Sequence, residues 1–224
     1  MGGSVEARAM LRWMAQPLRY VALGDSYTIG TSVAEDDRWP NRLVVLLGSV
    51  ESDAAATALE LVANLAVNGV TSAVVLEVQL PRLLALRPDL VSLLIGVNDV
   101  VQGVPAETYE RNVSAILDHL VGSVGATGVV VVTTPDYTVT PAGSDYGDPA
   151  RQAAAIRESN GILADAASRR GVAVVDIHDI SLRAKDDRRL VARDGLHPSG
   201  EQYRLWVERI APAVRKLIAE RGRA

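Results

Sequence analysis

Leu90-Val91-Ser92-Leu93-Leu94-Ile95, followed at once by Gly96-Val97-Asn98-Asp99, is the stretch on which the fold turns. Its first part is apolar at every position but one, without the polar alternation of a strand that has one face in water. A strand covered on both faces reads this way. Val129-Val130-Val131-Val132 repeats the pattern. Working outward, the runs Tyr20–Leu23, Leu59–Leu65, Leu90–Ile95, Val129–Thr133 and Val172–Ile177, rich in β-branched residues or leucine, read as strands. Segments with apolar residues three and four apart separate or follow them: Arg42–Leu47, Val70–Leu86, Ala106–Val121, Pro149–Arg170 and Gly200–Ala219. These read as helices. Strand and helix alternating along the chain predict a doubly wound parallel sheet in a three-layer α/β/α sandwich, because parallel neighbours need a crossover that a helix usually supplies.

The bulk numbers fit a single domain. The chain has 224 residues, 48% of them hydrophobic and 22% charged, enough to bury a sizeable core. No repeat, low-complexity tract or long linker divides it, so the expected organisation is an N-terminal extension over residues 1–18 and one domain over 19–224. With 23 basic and 27 acidic side chains the formal charge is −4, which offers no general attraction to nucleic acid or anionic lipid. The absence of cysteine excludes disulfides, thiolate metal sites and a cysteine nucleophile. Glu6, Arg8 and Arg12 interrupt the apolar run that an export signal would need, and no apolar stretch approaches the ~18 residues of a membrane span. A cytoplasmic protein is the expectation.

Two segments break the alternation, Thr31–Pro40 and Thr134–Pro149. Both read as loops, either walls of a site at the carboxyl edge of the sheet or solvated turns. Within the first, Arg38-Trp39-Pro40 reads either as pocket lining or as a tryptophan packing the loop on the core.

The first strand runs into Gly24-Asp25-Ser26-Tyr27-Thr28-Ile29-Gly30. A serine at a strand-to-helix junction points into the crevice above the sheet, and its N–H can meet an oxyanion. Alone the motif is an ordinary turn. The G-x-S-x-G elbow is not formed, since Thr28 stands where its second glycine would be. Near the other end lies Asp194-Gly195-Leu196-His197-Pro198. An aspartate three residues before a histidine can reach Nδ1 and leave Nε2 as a base. Of the three histidines, His119 reads as a surface residue, and His178 beside Asp179 is the rival base. Asn64-Leu65-Ala66-Val67-Asn68-Gly69 and Gly96-Val97-Asn98-Asp99 follow the second and third strands, offering backbone N–H groups and a directed amide. Asp25, Asp99 and Asn68 read as braces of these turns.

Taken in order, GDSYTIG, NLAVNG, GVND and DGLHPSG resemble the motifs of the SGNH hydrolases, also called the GDSL esterase/lipase family, over residues 24–200. The resemblance implies a flavodoxin-like five-stranded sheet and a catalytic triad of Ser26, Asp194 and His197. It also implies an oxyanion hole from Ser26, Gly69 and Asn98, with no cofactor and no metal. The implied partner is a small carboxylic ester, with an acyltransferase on the same machinery or a non-catalytic ligand-binding module as alternatives. Two departures are visible. Tyr27 stands for the leucine of the short family name, a change in packing beside the nucleophile, and Val97 stands where many members have a second glycine.

Overall fold

Five runs pair as parallel strands: β1 (Leu18–Gly24), β2 (Leu59–Asn64), β3 (Leu90–Leu94), β4 (Val129–Val132) and β5 (Ala173–Val175). Their order across the sheet is β2-β1-β3-β4-β5. The expected doubly wound sheet is therefore present in this computed structural model, which describes residues 16–48 and 58–221. Of the expected N-terminal extension, residues 1–15 lie outside the described residues, and Leu18 already opens β1.

The helices follow the periodicity closely. They are α1 (Ser26–Ile29), α2 (Trp39–Gly48), α3 (residues 72–86), α4 (Val97–Val101), α5 (Ala106–Val124), α6 (Pro149–Ser168), α7 (His178–Leu182) and α8 (Gly200–Arg221). The main difference from expectation lies in α3, which starts at Ser72 and is not uniform. Its middle, Val75–Gln79, is a π-helical turn in which the N–H of Leu80 donates to the carbonyl of Val75, five residues back. Pro81 gives a physical reason. It has no N–H for the carbonyl of Glu77, and its ring would crowd that carbonyl in a regular helix. The wider turn just before it absorbs the misfit.

Side chains leave each strand alternately to the two faces, which gives the sheet two separate cores. Tyr20, Ala22, Leu90, Leu94, Val130 and Val132 meet α2 and α8 through Trp39, Leu43, Tyr203, Trp206 and Ile210. Val21, Leu23, Val91, Leu93, Val129 and Val131 meet α3, α5 and α6 through Leu80, Leu83, Val113, Leu117 and Leu163. Each fully buried aliphatic side chain contributes about 1.5–3 kcal/mol. Ser92, the polar exception in β3, is satisfied by the Tyr20 hydroxyl at 2.7 Å. Trp39 is fully buried in the first core, so of its two readings the packing one holds.

From β1 the chain moves outward to β2, then returns past β1 to β3 and continues the other way. Connections diverge between β1 and β3, opening a crevice at their carboxyl ends. Ser26 follows the one and Asn98 the other.

Candidate active site

Ser26 begins one turn of helix directly after β1. Asp25 caps that turn, its Oδ1 accepting the N–H of Tyr27 at 3.0 Å, and Gly30 closes it in the left-handed conformation. Gly24 has φ +149°, and a Cβ there would stand 2.3 Å from the carbonyl oxygen of Leu94. Only glycine lets β1 lie so close to β3 before the turn. The backbone of Gly24 is gripped from the far side by the buried Gln79. Its Oε1 accepts the Gly24 N–H at 3.0 Å and its Nε2 donates to the Gly24 carbonyl at 2.8 Å. The π-turn of α3 presents this side chain.

The loop after β2 extends the sheet pairing, with Leu65 N–H on the Ala22 carbonyl and Val67 N–H on that of Gly24. It then turns at Gly69, where φ is +75°. Three side chains brace it. Thr31 donates to Asn68 Oδ1 at 2.6 Å, Gln102 Nε2 to the Gly69 carbonyl at 3.0 Å, and Asn98 Nδ2 to the Val70 carbonyl at 3.0 Å. Asp99, beside Asn98, accepts from the N–H and the hydroxyl of Ser72 at 2.9 and 2.5 Å. Asp25, Asp99 and Asn68 thus all bind neighbouring turns, as expected of braces.

Asp194 and His197 come from a loop before α8. Asp194 Oδ1 accepts the N–H groups of Leu196 and His197 at 2.9 and 3.0 Å. Asp194 Oδ2 lies 2.7 Å from His197 Nδ1 and also accepts the Ser32 hydroxyl at 2.5 Å. Partial burial works against the charge, yet the hydrogen bonds from Ser32, the two N–H groups and the imidazole outweigh it, holding the carboxyl at about 2. Facing a carboxylate, the neutral ring carries its proton on Nδ1 and presents Nε2 as an acceptor. The Tyr27 ring packs on this imidazole with centroids 5.6 Å apart, so the residue in place of leucine supports the histidine as well as adjoining the serine.

Asp25 contrasts with Asp194. Burial pushes its carboxyl up to about 7, only partly countered by the Tyr27 N–H, and its Oδ2 is buried without a hydrogen-bond partner.

These pieces meet in one cleft of about 240 Å³, whose lining includes Ser26, Gly69, Asn98 and His197. Its apolar wall comes from Tyr27, Val97, Val101, Leu196, Tyr137 and Tyr146. Thr31 and these last two tyrosines come from the irregular segments 31–40 and 134–149, so both loops contribute walls. His178 and His119 are not among the lining residues. Asp179, the carboxylate beside His178, pairs with Arg209 of α8. Sequence reasoning missed Ser32, Gln79 and Gln102, whose partners are 162, 55 and 33 residues away with no local motif to mark them. Among the described residues no group of three or more His, Asp or Glu could hold a metal ion, and no helix is long and apolar enough to cross a membrane.

Known structures share this architecture at low identity. The acetylxylan esterase Axe2 from Geobacillus stearothermophilus superposes with a TM-score of 0.66 at 18% identity, covering 92% of this chain and 95% of that one. The psychrotrophic esterase EstA from Pseudoalteromonas sp. gives 0.66 at 18%, covering 90% and 98%. A lipolytic protein of the G-D-S-L family from Desulfitobacterium hafniense DCB-2 gives 0.66 at 20%, covering 88% and 99%. These likenesses establish the fold. A search of curated protein sequences gives no match. The GDSL-like Lipase/Acylhydrolase family model matches residues 22–205, which include the serine, asparagine and histidine motifs, and the chain belongs to that family of carboxylic ester hydrolases.

Proposed function

We propose that the single domain of residues 19–224 is a serine esterase acting on small, short-chain carboxylic esters through Ser26, His197 and Asp194. The observation that carries this reading is the carboxylate–imidazole pair at 2.7 Å, whose histidine lines the same cleft as Ser26, Gly69 and Asn98. Ser26 Oγ attacks the ester carbonyl while His197 Nε2 takes its proton, and Asp194 stabilises the imidazolium. The oxyanion meets the N–H groups of Ser26 and Gly69 and the Asn98 amide. Asn98 gives one hydrogen to the Val70 carbonyl, which fixes the amide plane and aims the second. Collapse expels the alcohol, protonated by His197, and leaves an acyl-enzyme. Water activated by the same imidazole releases the acid.

The size of the cleft bears on the acyl group. At about 240 Å³ it falls below the ~300–1,000 Å³ typical of drug-sized ligand sites. Acetyl to butyryl groups fit this scale.

Hydrolysis of p-nitrophenyl acetate, butyrate and decanoate by the wild type and Ser26→Ala tests the reading. The expected result is turnover of the two short esters and a loss of roughly 10⁶-fold in kcat for the variant. A Ser26→Ala protein as active as wild type refutes the nucleophile.

A further inference from the structure

The backbone of Ser32 is left-handed, with φ +67°, a region where L-residues other than glycine, asparagine and aspartate are uncommon. The residue is exposed, so no packing demand selects its side chain. Glycine would hold this conformation at lower cost. What serine adds is a hydroxyl, and that hydroxyl donates at 2.5 Å to Asp194 Oδ2, the same oxygen that faces His197 Nδ1. Strained backbone of this kind persists where the surroundings enforce it, typically beside functional groups. Here Gly30 and Ser32, both left-handed, bend the chain from the end of α1 toward the histidine loop.

Resting on the esterase reading above, we infer that Ser32 is a positioning residue of the catalytic apparatus, tying the Asp194 carboxylate to the segment that carries Ser26. The carboxylate then has a fixed donor set: two backbone N–H groups on Oδ1, a hydroxyl and an imidazole on Oδ2. Sharing Oδ2 with the hydroxyl tempers its pull on the imidazole proton and sets its plane. Without the hydroxyl, the carboxylate holds the imidazolium proton more tightly and is free to rotate. The base is then unprotonated only at higher pH, and fewer molecules have the ring aligned with Ser26.

Other titratable or charged groups surround the pair and are common to every variant below. Tyr27 of α1 packs on the ring, Tyr137 and Asp136 share a small cavity with it, and Tyr203 of α8 feels the charges of Asp194, Asp25 and Arg38. Burial raises the hydroxyls of Tyr27 and Tyr203 well above the usual tyrosine range and that of Tyr137 to about 12, so all three stay protonated through an assay from pH 5 to 9. Asp25, raised to about 7 by burial, titrates within that range, and Ser32 is not among the groups that shift it.

The test compares Ser32→Ala and Ser32→Gly with wild type and Ser26→Ala, measuring kcat, KM and the pH profile of kcat/KM on p-nitrophenyl acetate. Glycine removes the hydroxyl while relieving the backbone, so misfolding cannot explain its phenotype. Both variants are expected to lose roughly 10–100-fold in kcat, the worth of one hydrogen bond to a charged group. KM should change little, and the acid limb of the profile should move to higher pH. Wild-type kcat in either variant overturns the inference, as does a uniform loss with the acid limb unmoved. An active Ser26→Ala instead brings down the esterase reading itself, so the two failures are distinguishable.

Discussion

The turn that carries Ser26 and the loop that carries His197 line one cleft, and they are held by opposite means. Asp25, Ser26, Tyr27 and Thr28 are all buried. Their backbone is tied to three distant elements: Gly24 to Gln79 of α3, the Thr28 carbonyl to Asn64 of β2 at 2.8 Å, and the Tyr27 carbonyl to the Tyr203 hydroxyl of α8 at 3.0 Å. Asp194 is exposed, and its loop is held mostly by itself. Asp194 receives two of the loop's own N–H groups, Ala192 N–H meets the His197 carbonyl at 2.8 Å, and Val191 pairs with Pro198. Outside ties are few, chiefly Ser32 to Asp194 and Ala142 N–H to the Gly195 carbonyl. The proposed nucleophile, set by the core, and the proposed base, set by a local loop, should therefore fail differently. Damage near the first should appear as lost stability, and damage in the second as lost activity.

His197→Ala presses that difference hardest. It should reduce kcat by roughly 10⁶-fold while costing only about 1 kcal/mol in urea unfolding. His178→Ala, outside the cleft, should retain wild-type kcat. A dead His178 variant with an active His197 variant would reverse the assignment of the base.

Gln79→Leu addresses the other side. It leaves the buried N–H of Gly24 without its side-chain partner, at about 1–3 kcal/mol, and takes one of two donors from the Gly24 carbonyl, which keeps the Val67 N–H, at about 1 kcal/mol. Chemical unfolding should show a loss of about 2–4 kcal/mol, more than His197→Ala. Equal losses in the two variants would erase the proposed division.

The smallest effect concerns Asp25 and pH. Its carboxyl is raised to about 7 in the folded chain, against 3.8 as the ordinary value. The unfolded chain therefore releases this proton first. The associated stability is full below about 3.8 and is lost as pH rises through about 7. The wild-type Tm should accordingly decline from pH 5 to pH 9, and Asp25→Asn, which cannot ionise, should flatten that decline by several °C. Parallel curves for the two proteins would show that Asp25 does not ionise within the folded core.

Much of this molecule is legible in the sequence for one reason: a side chain's period reports its environment. Val129–Val132 alternates between two cores, so all four positions must be apolar, and the parallel sheet follows. The motifs around Ser26, Gly69, Asn98 and His197 are legible because each is a short run of turn residues directly after a strand or before a helix. Gln79 and Ser32 are opaque for the converse reason. Their roles depend on partners brought close only by the complete fold, and a glutamine in a helix or a serine in a loop carries no mark of such a partner. The π-turn is intermediate. Pro81 signals trouble in the helix, while the form of the accommodation is decided by packing against the sheet.

That widened turn carries one extra residue's worth of rotation. Deleting a single residue from Val75–Gln79 would restore ordinary winding and swing the flanking side chains by ~100° relative to one another. Either Gln79 would leave Gly24, or Leu80 and Leu83 would turn out of their core. The aim of the proposed nucleophilic oxygen is thus set partly by helical phase in a segment outside the cleft lining.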